Sequence, residues 1–132
     1  MNRSNRIVSI QIVLIVKWIE QLKRLEIFTE GRDMELKGRI GLVTGGATGI
    51  GRATVLQMAR SGMAGVVVNY RTAKKDAEEL AAEVKKSGVD ALCIHADVKN
   101  DEQVRRMMQQ AGDHFGRLDV LVNNAGVTHW VP

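Results

Sequence analysis

A chain of 132 residues, 45% apolar and 26% charged, has the make-up of one soluble globular domain, which excludes a disordered tail, a collagen-like fibre and a multidomain assembly. Thirteen Gly against one Pro and 4% aromatics point to close backbone approaches over an aromatic-rich all-β core; the single Cys93 forms no internal disulfide, and with His95, His114 and His129 scattered it gives no metal-ligand spacing. The net charge of +4 divides evenly, because residues 1–33 hold six Lys/Arg and four Asp/Glu while residues 34–132 hold thirteen and eleven, so no basic stripe marks a nucleic-acid partner.

The first element is an apolar stretch, Ile7 to Ile19 (IVSIQIVLIVKWI), behind Arg3 and Arg6 and ahead of the charged EQLKRLE. As a helix it would span only about 20 Å, short of the roughly 20 apolar residues that a bilayer crossing needs. Lys17, Trp18 and Glu20 stand where a small-x-small cleavage site would follow, so the stretch is not read as an export signal and the chain is expected in the cytoplasm. Residues 1–33 therefore form an N-terminal extension, expected to be helical or poorly ordered. Two origins fit it. Met34 opens MELKGRIGLVTGG as a natural domain start, behind Glu30-Gly31-Arg32-Asp33, which a purine-rich ribosome-binding run can encode. Alternatively, Ile7 to Ile19 is an interfacial helix of a membrane-associated protein.

Residues 34–132 alternate strand and helix. Ile40 to Thr44, Val66 to Tyr70, Ala91 to Ala96 and Leu118 to Asn123 are short apolar runs without clean alternation, as in strands buried on both faces of a parallel sheet. Between them, Ala73, Ala77, Leu80, Ala81 and Val84, and then Val104, Met107, Met108, Ala111 and Phe115, each draw one apolar stripe at helical spacing. Asn100 with Gln103 resembles a capping box, and Gly88 and Gly116 stand where helices end. With right-handed crossovers, the order β-α-β-α-β-α-β builds part of a Rossmann-like, doubly wound α/β sheet.

The first of these strands breaks into Thr44-Gly45-Gly46-Ala47-Thr48-Gly49-Ile50-Gly51, inside which a helix begins. Gly45 allows a sharp turn, Gly49 keeps a Cβ away from an approaching pyrophosphate, and Gly51 permits close helix packing. Free N–H groups at the helix start, with the positive end of its dipole, suit a diphosphate. The T-G-x-x-x-G-x-G spacing, the Asn123-Asn124-Ala125-Gly126 motif seventy-two residues after Gly51, and the Asp97-Val98 pair after the third strand resemble the classical short-chain dehydrogenase/reductase family, in its N-terminal, cofactor-binding half. The resemblance covers about Glu35 to Val131 and implies an NAD(P)(H)-dependent oxidoreductase acting on alcohols or carbonyls. It implies that Thr44, Gly45, Gly49, Ile50 and Gly51 surround the pyrophosphate and its ribose, that Asp97 accepts from the adenine amino group beside Val98, and that Asn123, Ala125 and Gly126 line the path to the nicotinamide.

Where the family places an acidic residue against the adenosine ribose, this sequence has Tyr70, followed by Arg71 twenty residues after Gly51. A guanidinium there suits a 2′-phosphate, so NADP(H) is the expected cofactor, with NAD(H) the alternative. The family's catalytic Ser and Tyr-x-x-x-Lys come after its N-N-A-G motif, and the chain ends six residues beyond Gly126. The string Tyr70 to Lys74 lies at the adenosine end, and His129 reads as a loop residue, so no catalytic residue is assigned. Residues 34–132 are thus expected to be a half-domain truncated before the active site, inactive alone, with exposed apolar surface and an open strand edge around Val120 to Val122 and on the face opposite the Ala73 to Val84 helix. The parent would be a homo-oligomer acting on a small carbonyl or alcohol, such as a 3-oxoacyl chain on acyl carrier protein, a sugar or a steroid. A non-catalytic dinucleotide-binding module is the competing reading.

Overall fold

The computed structural model describes residues 35–124 and, ahead of them, three short strands. In chain order the elements are β1 (Val8–Gln11), β2 (Phe28–Thr29), β3 (Arg32–Asp33), β4 (Ile40–Val43), α1 (Gly49–Arg60), β5 (Gly65–Tyr70), α2 (Lys74–Lys86), β6 (Asp90–His95), α3 (Asp101–Phe115) and β7 (Val120–Asn123). The main sheet has the order β1-β7-β4-β5-β6, with every neighbouring pair parallel, and β2 and β3 form a separate antiparallel pair. The chain steps outward from β4 to β5 to β6, then returns past β4 to β7. That reversal puts a switch point between β4 and β7, and in sheets of this kind ligands bind at the carboxyl ends of the strands beside it.

The apolar runs form strands because both of their faces are covered. Val43, Val66, Val68, Val120 and Val122 pack against Val55 and Met58 of α1 and Leu80 and Val84 of α2. On the opposite face, Leu42, Val67 and Ile94 meet Met107 and Ala111 of α3. The α2 stripe is buried at Ala77, Leu80, Ala81 and Val84, and complete burial of a side chain such as Leu80 stabilises the fold by about 1.5–3 kcal/mol. Helix α3 starts at Asn100, whose side chain accepts from the Gln103 N–H at 3.1 Å. The reciprocal half of the expected capping box is absent: Gln103 Oε1 accepts from the Asp97 N–H at 2.8 Å and so anchors the loop after β6. Gly116 closes α3 in the left-handed conformation.

Three expectations are corrected. Val8–Gln11, inside the stretch expected to be helical or poorly ordered, is a strand, aligned with Val120–Asn123; the rest of Ile7 to Ile19 lies outside the described residues. The β7 edge expected to be open is accordingly paired, and Val120 and Val122 are 0% and 1% exposed. The face opposite α2 is covered in part, since α3 buries Leu42 and Val67 completely while Leu92, Leu118 and Leu121 stay half-buried. Among the described residues no helix is long and apolar enough to cross a membrane.

The amino ends of the two strands beside the switch point are tied by Asp119. Its Oδ2 accepts from the Ile40 N–H at 2.9 Å, its Oδ1 from Arg117 at 2.6 Å, and Arg39 lies 3.7 Å away. Burial alone would raise the carboxyl's pKa, but the Arg117 hydrogen bond, the Ile40 N–H and the two cationic charges outweigh it and hold the group below its ordinary value.

Candidate functional site

At the carboxyl ends of β4, β5 and β6 the loops enclose a cavity of about 370 Å³. This volume is in the range of small-ligand sites. Its wall includes Gly45, Tyr70, Arg71, Asp97 and Val98 among the residues expected from sequence, and Asn69, Lys99 and Asn124 besides. Gly45 comes from the β4–α1 connection, Tyr70 from the end of β5, Arg71 from the β5–α2 connection and the Asp97 pair from the β6–α3 connection, so residues 52 positions apart in sequence face one space.

Helix α1 begins at Gly49 with no side-chain cap: Thr48 is extended and makes no capping hydrogen bond, and no acidic residue lies in the first turn. The first N–H groups of a helix have no partner within it, and an anion is their natural complement. Gly49 has φ +56° with nothing within 4 Å of where a Cβ would sit, so the backbone there is both shaped for glycine and open to a ligand. Gly51 serves differently. A Cβ on it would collide with the Gly45 carbonyl oxygen and lie 2.6 Å from Asn124 Nδ2, so its role is to let α1 press onto the loop from below.

Two asparagines hold that loop in place. Asn69 is 1% exposed, accepts from the Gly45 N–H at 3.1 Å, and donates to the carbonyls of Ile94 at 3.3 Å and Ala96 at 3.1 Å. One amide thus joins the glycine loop, β5 and β6. Asn124 matches it from the other side: its Nδ2 donates to the carbonyls of Thr44 at 3.2 Å and Gly45 at 3.1 Å, and its own N–H donates to Thr44 Oγ1 at 3.0 Å. Thr44, expected beside the pyrophosphate, is buried beneath the loop and donates through Oγ1 to the Val122 carbonyl at 3.3 Å, so it serves as a post under the site and does not line the cavity. A polar Asn inside the apolar run VVVNY is itself a signal that sequence reading could have used, because a buried amide has to be hydrogen-bonded.

Around the cavity, the Tyr70 ring meets His95 edge to face with centroids 5.6 Å apart. Asp97 Oδ1 accepts from the Lys99 N–H at 3.0 Å, which fixes the carboxylate at the cavity wall. Arg71 and Lys99 bring positive charge to the same space. Gly49 and Ile50 lie in the first turn of α1 and Asn123 ends β7, on the other side of the switch point. Ala125 and Gly126 lie outside the described residues, as does His129. The cradle therefore suits a phosphate-bearing ligand: open amides at a helix start, with a guanidinium and a carboxylate on the adjoining cavity wall.

A glycine loop feeding an uncapped helix at the switch point of a parallel sheet is the arrangement that dinucleotide-binding α/β domains use. The chain belongs to the short chain dehydrogenase family, whose model matches residues 39–132. It is 45% identical over 92 residues to the short chain dehydrogenase mdpC of Emericella nidulans, covering 70% of this chain and 34% of that protein. It is 47% identical over 87 residues to the 3-oxoacyl-[acyl-carrier-protein] reductase FabG of Staphylococcus aureus, covering 66% of this chain and 35% of that one. Among solved structures, a short chain dehydrogenase from Burkholderia cenocepacia in complex with NADP superposes with a TM-score of 0.68 at 35% identity, over 73% of this chain and 39% of the other. The chain thus spans just over a third of the length of these relatives.

Proposed function

We propose that this chain is the cofactor-binding part of an NAD(P)(H)-dependent oxidoreductase, that it prefers NADP(H), and that it performs binding without turnover on its own. The observation that carries the reading is that Arg71 and Asp97 share one cavity wall with the glycine loop. In this reading the α1 N-terminus and Gly49 receive the pyrophosphate, Asp97 accepts from the adenine amino group, and Arg71 pairs with the 2′-phosphate through two parallel N–H donors. Tyr70, standing where an acidic side chain would repel that phosphate, is neutral and packs beside it. Asn123, with Ala125 and Gly126, borders the route to the nicotinamide. When bound, the cofactor would supply a hydride to a carbonyl or take one from an alcohol.

The NADP-bound Burkholderia structure supports a nicotinamide dinucleotide as the ligand class. The substrate proposed for the whole protein is a small carbonyl compound or alcohol, with a 3-oxoacyl thioester favoured by the likeness to FabG, and its assembly a homo-oligomer. A non-catalytic binding module is the second reading, supported by a cavity whose lining residues all fall between Gly45 and Asn124.

Fluorescence titration with NADPH and NADH tests the cofactor assignment. Arg71→Asp is expected to weaken NADPH binding by about tenfold or more, the loss of a charge-assisted pair, while NADH binding changes far less. Equal losses for both would refute the role of Arg71, and an unsubstituted chain that binds neither would refute the reading itself.

A further inference from the structure

Strand β5 runs further than β4: their register ends at Val43 opposite Val68, while Asn69 and Tyr70 go on to pair with Ile94 and His95 of β6. Beyond Val43 the chain turns through Gly45, at φ +60°, into the glycine loop, whose amides lie outside the ladder. Gly46 is buried, and a buried N–H has to be paired. Asn69 pairs two of these amides at once. Its side-chain Oδ1 accepts from the Gly45 N–H at 3.1 Å, and its main-chain carbonyl accepts from the Gly46 N–H at 2.9 Å. Its Nδ2 donates across to the carbonyls of Ile94 and Ala96, the second of which directly precedes Asp97. An amide that already donates to Asn69 is not free for a phosphate oxygen. The loop N–H groups left to an anion therefore come after Gly46, toward the uncapped start of α1, where Thr48 and Gly49 are exposed.

We propose that Asn69 is a positioning residue for the dinucleotide. It commits the Gly45 and Gly46 amides to the fold, so that the pyrophosphate is received further along, at the start of α1, and it fixes the separation between that seat and Asp97. Asn69 acts through the loop and through β6, being itself 1% exposed. The proposal rests on the reading of the cavity as a dinucleotide site, and it adds a residue whose effect falls on the part that NADPH and NADH share.

Two measurements on the full chain test it. In the free, unsubstituted protein, hydrogen exchange at the Gly45 and Gly46 amides is expected to be at least about tenfold slower than at Thr48 and Gly49. Asn69→Leu removes the amide at nearly unchanged volume, and in fluorescence titrations it is expected to weaken NADPH and NADH binding by the same factor, about tenfold or more, because both ligands carry the pyrophosphate. That equal loss separates Asn69 from Arg71, whose replacement acts on NADPH. Val84→Ala is the control for a merely structural role: Val84 is 1% exposed in the last turn of α2, at the opposite end of the helix from Ala73. It should lower the urea midpoint while leaving NADPH binding within about twofold. Should Asn69→Leu not fold, Asn69→Ser, shorter and still polar, takes its place with the same expectations. Gly45 and Gly46 amides that exchange as fast as Thr48 and Gly49 overturn the proposal. So do unchanged binding in the Asn69 variant, a loss confined to NADPH, or an equal loss in Val84→Ala. An unsubstituted chain that binds neither NADPH nor NADH overturns the reading of the cavity, and the role of Asn69 with it, whereas the other outcomes strike Asn69 alone.

Discussion

A methyl group at Gly51 would lie against the Gly45 carbonyl oxygen and 2.6 Å from the Asn124 amide nitrogen. Neither can move freely, because Asn124 is bonded to the carbonyls of Thr44 and Gly45, and the Gly45 N–H is bonded to Asn69. Gly51→Ala is therefore expected to destabilise the fold by about 1–3 kcal/mol, the range of overpacking in a fixed site. Gly41 provides the comparison: a methyl there meets only the flexible ends of Met58 and Met63, which can swing aside. In urea melts Gly41→Ala should lose less than Gly51→Ala, and the reverse order would show that the loop yields more easily than its hydrogen bonds imply. Much at this level was legible in advance. Tyr70, Arg71, Asp97 and Val98 were singled out from motif spacing and do face one cavity. The parts of Asn69 and Asn124 were not, since which carbonyls an amide reaches depends on how three strands line up, and strand register is invisible in one linear string.

Between elements, the tie at Asp119 joins the starts of β4 and β7 at the end of the sheet away from the cavity. Its carboxyl is held below its unfolded value near 3.8, so the charged form contributes stability that is present above that pH and is lost as pH falls through the lower folded value. Asp119→Asn keeps an acceptor for the Ile40 N–H but removes the charge paired with Arg117 and Arg39. Near neutral pH it should lower stability by about 1–3 kcal/mol, the scale of a hydrogen bond to a charged group. As pH drops below about 3.8 the difference from the unsubstituted chain should shrink, and a gap in unfolding free energy that stays constant from neutral to acid pH would remove Asp119 from the account. The helices and the core strands were readable because each repeats a local pattern. Val8–Gln11 was not, because an apolar run such as IVSIQIVLIVKWI has no period that separates helix from strand, and its partner lies more than a hundred residues away.

Across the molecule, the proposed division between cofactor binding and catalysis turns on where the chain's single Tyr stands. Tyr70 ends β5, whereas the route to the nicotinamide is expected to pass Asn123 at the end of β7, two strand spacings or about 10 Å across the sheet. A proton donor has to come within hydrogen-bond reach of the reacting oxygen, and a ring packed on His95 beside Arg71 is not expected to. The pairing of Val8–Gln11 with β7 could not be read from the sequence, whereas the cavity is lined by residues between Gly45 and Asn124 that the motifs had marked in part. The chain is therefore expected to bind NADPH while leaving it unoxidised in the presence of a 3-oxoacyl thioester, an aldose or a steroid ketone, at a rate equal to the protein-free blank. Loss of the reduced-nicotinamide absorbance followed over hours measures this, with Arg71→Asp as the binding-impaired control. Sustained oxidation that depends on the carbonyl compound, and disappears in that control, would mean that a group other than Tyr70 delivers the proton and that the division between binding and chemistry drawn from β5 and β7 is mistaken.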